Sequence, residues 1–254
     1  MKKVTLLLCF FCLGIAVPLW AQDADNILRY GYAGYNSKDQ ERWSASVTIT
    51  PPSGQEEIGK IVERGGGRFS AYPGITSWVS TLEFREQEDS LQPLQMEKNV
   101  YDQKGQLIER TFQAFDYDEK KVTHRNEKSG SERPIEKVYG FGDSITNKLL
   151  LGLFVQEFLQ KGERHKMTYF ISDEPRLYNI DIRIVREEEI TVRSKKRKAF
   201  KLMIDPNLGI FNIFKIFLPR AYLWHAATKP YEWLQYEGPE SNPTSIRIQI
   251  RQKY

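Results

Sequence analysis

Cysteine is almost absent from this chain of 254 residues. The two that occur, Cys9 and Cys12, lie within the first twenty residues. If that segment is a removable leader, the remaining chain holds no thiol and no disulfide. It is nevertheless long enough to bury a hydrophobic core without covalent crosslinks.

Histidine is also scarce, and the familiar catalytic patterns are missing. The three histidines, His124, His165 and His225, are far apart in the sequence. A zinc site is usually built around closely spaced ligands. Neither Gly-x-Ser-x-Gly nor His-Glu-x-x-His occurs, and the glycine run 65–67 lacks the lysine of a phosphate loop. We therefore expect no metal, no cofactor and no catalytic residues, which favours a non-enzymatic protein.

The chain has no strong excess of one charge. It contains 37 basic and 33 acidic residues, mixed along its length, and a formal net charge of +4. A nucleic-acid-binding domain normally concentrates basic residues on one face, so this balance argues against one. Beyond the first twenty residues no apolar run is long enough to predict a membrane-spanning helix.

The first twenty-one residues have the order of a secretory signal peptide. Lys2 and Lys3 precede the almost wholly apolar run 4–20. As a helix this run measures about 25 Å, shorter than a hydrocarbon layer of about 30 Å. Ala21 offers a small residue at the cleavage point. We predict a signal peptide over residues 1–21, cleavage near Ala21, a periplasmic location, and a single domain over residues 22–254.

Most of that domain alternates between apolar and polar residues. Period-two alternation is typical of strands with one buried and one solvated face. It occurs in five clear segments, within 43–50, 78–84, 94–100, 178–184 and 246–250. With turn signals between them, the pattern predicts about eleven to thirteen strands. We expect a mainly β fold, either a strongly curved antiparallel sheet or an open barrel or sandwich.

One segment follows a helical period instead. Asp143 or Ser144 can cap a helix of about 16 residues with apolar positions three and four apart, ended by Gly162. We expect this amphipathic helix to pack on the apolar face of the sheet. Its residues Leu150 and Phe154 are candidates for contact with an apolar ligand.

The segment 210–218 carries more apolar residues than one strand face can bury. It fits a central strand covered on both faces. It also fits a helix that begins after Asp205 and Pro206 and presents an exposed apolar lip. Both alternatives stay open. Its candidate ligand-binding residues are Ile210, Phe211, Ile213, Phe214 and Phe217.

A basic cluster follows three consecutive glutamates and is expected at a hairpin tip. It consists of Lys195, Lys196, Arg197 and Lys198. A solvated turn explains it without a function. The alternative is a contact with anionic lipid headgroups, at about 1 kcal/mol for each charge near such a surface.

Several segments occur in an order that resembles a known family. They are 67–71, 101–105, 112–117, the helix after residue 144, and 223–238. Together they resemble the exported bacterial family of domain of unknown function 3108. That resemblance implies a periplasmic β protein of unassigned activity. More loosely, a curved sheet with a helix on its apolar face is similar to periplasmic lipoprotein carriers.

The leading hypothesis is a non-enzymatic binding protein that carries lipid or another apolar ligand at the cell envelope. Burial of each ligand methylene would contribute about 0.8 kcal/mol. An envelope scaffold that binds a protein partner through its sheet edges is the alternative. A carbohydrate-active enzyme is a third, weaker hypothesis.

Overall fold

The structure is a computed structural model that describes residues 27–52, 58–87, 90–207, 220–240 and 245–253. In these ranges the chain forms fifteen strands and one helix, α1 (Leu151–Gln160). The strands are β1 (Leu28–Tyr35), β2 (Glu41–Thr50), β3 (Ile58–Gly67), β4 (Thr76–Gln87), β5 (Ser90–Tyr101), β6 (Leu107–Asp116), β7 (Lys121–Lys128), β8 (Ile135–Gly140), β9 (Ile145–Asn147), β10 (His165–Ile171), β11 (Leu177–Val192), β12 (Lys195–Pro206), β13 (Ala221–Ala226), β14 (Trp233–Pro239) and β15 (Arg247–Gln252). The expected mainly β fold is confirmed.

All fifteen strands belong to one sheet. Its order is β8-β7-β6-β5-β4-β3-β2-β1-β15-β14-β13-β12-β11-β10-β9. Strands that follow one another along the chain are therefore paired, except β8 and β9, which are the two edges of the sheet. The pairings are antiparallel except between β9 and β10. The first and last strands join two meanders, because β1 pairs with β15 from Tyr32↔Gln252 to Tyr35↔Gln249.

The sheet curves around helix α1. On one side, Leu150 and Leu153 pack with Leu82 and other residues of β2 to β5. On the other side, Phe154 and Phe158 pack with residues of β11 to β13. The helix therefore lies between the two meanders with apolar contacts on both sides. Its predicted position on the apolar face is confirmed.

The predicted start of this helix is wrong. Residues 145–147 form β9 and pair with residues 169–171 of β10, so their backbone groups are used in the sheet. The Asn147 side chain then accepts a hydrogen bond from the Leu150 N–H at 3.1 Å, which closes a turn before the helix. The predicted end is correct. Gly162 has a φ of 75° and its N–H donates to the Leu159 carbonyl.

The alternation predicted for β2 holds throughout, since Trp43, Ala45, Val47 and Ile49 are all buried. In β5 it shifts by one residue. A bulge pairs Phe84 with Pro93, so Pro93 is buried in place of the expected Leu94. Bulges of this kind bend a strand, which helps the sheet to curve.

The two open edges of the sheet are brought together by side chains. Phe115 and Val122 of β6 and β7 form one apolar cluster with Ile145 and Ile171 of β9 and β10. The Tyr139 hydroxyl of edge strand β8 also donates to the Pro175 carbonyl. The inner face is therefore enclosed along this side, although the described strands form no ladder between β8 and β9.

Candidate functional site

A row of buried polar residues crosses the inner face. Its members lie on five consecutive strands, and each stands directly opposite the next in the strand register. They are Glu63, Ser80, Lys98, Thr111 and Asn126. All five are at most 5% exposed. A polar row inside an apolar face costs stability unless every member is hydrogen-bonded, so its partners matter.

Glu63 is held by three neutral donors. Its carboxylate accepts hydrogen bonds from the Tyr32 hydroxyl, from Trp78 Nε1 at 3.0 Å and from Ser80 Oγ at 3.1 Å. Charge-assisted hydrogen bonds of this kind offset the burial of a carboxylate. Burial, and after it the nearby Glu63, raises the pKa of Tyr32 well above its usual value, so the hydroxyl stays protonated.

Lys98 forms an ion pair with a residue from a distant loop. Its Nζ lies 2.6 Å from Oδ2 of Asp173, which belongs to the connection between β10 and β11. Lys148, just before α1, places its Nζ 3.8 Å from the same oxygen. Burial opposes the charge on Lys98, but Asp173 outweighs it and raises the Lys98 pKa. Burial is likewise outweighed at Asp173, whose pKa the two lysines hold well below its usual range.

The ring of Phe69 covers both ammonium groups. Lys98 Nζ and Lys148 Nζ lie 5.5 and 5.4 Å from its centroid, within the range of cation–π attraction. Phe69 belongs to the loop between β3 and β4. That loop is fastened by the Ser70 N–H, which donates to the buried carboxylate of Glu240 at 2.5 Å. The loop therefore closes the inner face over the lysines.

A second polar pair lies beside the row. Gln113 Nε2 donates to the Ser172 carbonyl at 2.8 Å and lies 3.4 Å from Nδ1 of His124. Burial lowers the pKa of His124, which favours the neutral ring. With Nδ1 as the acceptor, the ring proton is on Nε2.

Two buried donors, His124 Nε2 and Asn147 Nδ2, have no hydrogen-bond partner in the part of the chain that the structure describes. Asn147 immediately precedes Lys148, and its paired residue Ile171 immediately precedes Ser172. Unpartnered buried donors are uncommon in folded proteins and point to a missing partner such as water or a ligand. The lysines, the amides and the imidazole offer mainly donors, which suit oxygen atoms of a ligand, while Gln113 Oε1 is a buried acceptor without a partner among the described residues.

The predicted ligand residues Leu150, just before α1, and Phe154 are buried and belong to different apolar clusters. Leu150 belongs to the apolar cluster under β2 to β5, and Phe154 to the cluster under β11 to β13. Their contact with a ligand stays a prediction. The predicted segment 210–218, with all five of its candidate residues, lies outside the described residues.

The basic cluster follows a hairpin tip, as predicted. Arg193 and Ser194 form the turn between β11 and β12 with φ values of 51° and 62°. Lys196 pairs with Glu189 at 2.9 Å, and Arg197 pairs with Glu232. Contact of residues 195–198 with lipid headgroups stays a prediction.

Sequence reasoning did not identify the polar row, although the alternation of residues in two strands indicates part of it. Alternation in β4 and β5 already places Ser80 and Lys98 on the same faces as Leu82 and Met96. A lysine at an inward position of a strand indicates a buried partner of opposite charge. The partner itself, Asp173, is 75 residues away in the sequence, and only the fold brings the two together.

Comparisons with known proteins give information on the fold and none on the activity. No protein-family model matches the chain, and no curated protein matches it either. A crystal structure of a β-barrel-like domain of unknown function, DUF1849 from Brucella abortus, is similar with a TM-score of 0.52 and 9% identity, covering 89% of this chain and 94% of that one. A protein with a YmcC-like fold from Bacteroides fragilis has a TM-score of 0.31 and 8% identity, over 89% and 95% of the two chains.

The first of these likenesses shows that the chain shares a β-barrel-like fold with a domain whose function is unknown. The second is too remote to bear on the fold. Within the described ranges, no helix is long and apolar enough to cross a membrane. The same ranges hold no group of three or more histidine, cysteine, aspartate or glutamate residues arranged to bind a metal ion.

Proposed function

We propose that this chain is an exported, non-enzymatic protein that binds an amphiphilic lipid at the cell envelope. Helix α1, apolar on two sides and lodged inside a curved sheet, is the observation that carries the proposal. Helix α1 occupies the space in which the apolar chain of a ligand would lie. Membership of the family of domain of unknown function 3108, the removal of residues 1–21 and the periplasmic location belong to the same proposal.

Helix α1 is held mainly by contacts that an apolar ligand chain can replace. Its described side-chain hydrogen bonds to the rest of the fold are two. Glu157 accepts from the Leu91 N–H of β5 at 3.0 Å, and Gln160 donates at 3.4 Å to the Pro230 carbonyl in the connection between β13 and β14. The remaining contacts are those of buried aliphatic and aromatic side chains, which are not directional. A helix anchored in this way has few described side-chain hydrogen bonds to break when it moves.

A ligand chain would offset part of the burial energy of α1, which has six buried apolar side chains. A chain of about ten methylenes contributes about 8 kcal/mol on burial, at about 0.8 kcal/mol each. Burying a leucine or phenylalanine side chain contributes about 1.5–3 kcal/mol. A medium-length acyl chain therefore offsets the loss of about three or four of the helix's buried side chains. The ligand's polar end would then lie toward the polar row, since Lys148 stands at the start of α1.

A disulfide that fastens α1 to the sheet tests this proposal. A Cβ built on Gly152 of α1 lies 3.7 Å from the Cβ of Trp233 on β14. That separation matches the Cβ–Cβ distance of a disulfide. The variant Gly152→Cys/Trp233→Cys would be purified from the exported fraction and titrated with a fluorescent fatty acid, first oxidised and then reduced.

We expect the reduced variant to bind the probe and the oxidised one to bind at least about tenfold more weakly, a difference of about 1.4 kcal/mol. Because both arms use the same polypeptide, the lost tryptophan does not affect the comparison. Equal binding in both forms would exclude the space of α1 as the site. Absence of binding by the wild type, together with recovery of a specific protein partner and no lipid, would favour the scaffold alternative.

A further inference from the structure

Asp173 differs from Glu63 and Glu109, two other carboxylates near the polar row, because it lies on a loop and they lie on strands. Glu63 and Glu109 stand on strands, whereas Asp173 lies in the loop 172–176 that enters from the side. Its side chain is 29% exposed, while that of its partner Lys98 is 6% exposed. The buried lysine is fixed in the sheet, and the acid that neutralises it is carried on a loop.

Asp173 is the carboxylate with which both Lys98 and Lys148 form their described ion pairs. The two strand carboxylates are already engaged, Glu63 by its three donors and Glu109 by Asn126 Nδ2 at 2.7 Å and by Lys128 at 3.6 Å. If Asp173 moves away, Lys98 and Lys148 both lose the carboxylate of their described ion pairs. Lys128, whose side chain is 59% exposed, stays largely in solvent. An anion is then missing beside these two lysines, and His124 Nε2 and Asn147 Nδ2 have no hydrogen-bond partner among the described residues.

We propose that this position binds the monoanionic oxyacid head of the ligand, a carboxylate or a phosphodiester, and that Asp173 is its resident substitute. One Asp173 oxygen lies between Lys98 Nζ at 2.6 Å and Lys148 Nζ at 3.8 Å, as one oxygen of a ligand acid would. Movement of loop 172–176 withdraws the aspartate as the ligand head arrives. This inference rests on the proposed function and specifies the head of the ligand that it binds.

The test compares an acidic ligand with its neutral counterpart. Dansyl-labelled undecanoic acid and its methyl ester would be titrated into the purified wild-type protein and into three variants. Asp173→Asn removes the competing charge, and Lys148→Gln removes one of the two cations at a half-buried position. Asp143→Asn is the matched control, because it makes the same chemical change at an exposed acid paired with Lys120.

We expect the wild type to bind the acid about tenfold more tightly than the ester. Asp173→Asn should tighten acid binding about three- to fivefold, because the ligand acid no longer competes with the Asp173 carboxylate for the two lysines. Lys148→Gln should weaken acid binding about tenfold. Neither change should alter ester binding, and Asp143→Asn should alter neither. Thermal melting of each variant checks that the fold is retained.

Acid binding that is unchanged or weakened by Asp173→Asn would overturn the inference. Equal binding of acid and ester by the wild type would also overturn it, but would leave the carrier function standing. Absence of binding by either probe would defeat both. Competition by oleate, by dioleoyl phosphatidylglycerol and by inorganic phosphate identifies the source of the acid group. Displacement by inorganic phosphate alone, with no effect of the lipids, would assign the position to a free anion and refute a lipid head.

Discussion

Protonation of His225 should control much of this protein's stability between neutral and mildly acidic pH. His225 lies on β13 and is fully buried. Its Nδ1 donates to the Tyr231 carbonyl at 2.8 Å, and its buried Nε2 has no partner among the described residues. A second proton on Nε2 would place a positive charge on the buried ring and add an N–H that no described residue accepts. Burial therefore lowers the His225 pKa from 6.5 to about 4, against the weaker opposing effect of that backbone hydrogen bond.

The direction of the effect follows from proton binding in the two states. Below about pH 6.5 the unfolded chain takes up a proton at this residue while the folded protein does not, so the free energy of unfolding falls as the pH falls. The full loss, reached near pH 4, is about 3 kcal/mol, at about 1.4 kcal/mol for each pKa unit. Between about pH 7.5 and pH 5 the expected loss is about 2 kcal/mol.

Urea unfolding of the wild type and of His225→Asn at these two pH values measures this contribution. The asparagine amide keeps a donor for the Tyr231 carbonyl but does not titrate. The variant should be less stable than the wild type near neutral pH because packing is lost. Its stability should nevertheless depend on pH by about 2 kcal/mol less over the same interval. His124, whose pKa is also lowered by burial, contributes in both proteins and cancels in the comparison. An identical pH dependence in the two proteins would refute the reasoning.

Three further outcomes are expected. Gly65→Ala would place a Cβ 2.3 Å from the ring of Trp78 and should destabilise the fold by about 1–3 kcal/mol in thermal melting, while Gly66→Ala, with its nearest atom at 3.5 Å, should be tolerated. Glu63→Ala would leave the three donors without their acceptor and should lower the free energy of unfolding in urea by about 3 kcal/mol. A decrease below about 1 kcal/mol would contradict the role of Glu63 in the polar row. Intact mass spectrometry of the exported protein should show a chain that begins near Gln22, and a species that retains the first residues would contradict the predicted cleavage.

Local rules were sufficient to predict much of the strand structure. Alternating side chains point to opposite faces of a strand whatever surrounds it, so the burial of Trp43, Ala45, Val47 and Ile49 follows from spacing alone. The end of α1 at Gly162 is local for a similar reason, because a left-handed φ is readily adopted by glycine. The apolar faces of the helix also indicated burial on most sides.

Other features depended on pairings that the sequence does not specify. Residues 145–147 suit a strand or the first turn of a helix, and their pairing with β10 decides between the two. The bulge at Leu94 reversed the predicted orientation of that residue, because one extra residue changes which side chains face inward.

The sequence by itself determined that the chain is β-rich, that one apolar helix must be covered by the sheet, and that a lysine stands at an inward position of β5. The tertiary structure alone decided what that lysine meets. Lys98 and Asp173 are 75 residues apart, and they meet because the curved sheet brings the loop between β10 and β11 close to β5. The site depends on the register of five strands and the path of one loop. Both are set by packing between distant segments, which periodicity along a single strand does not encode.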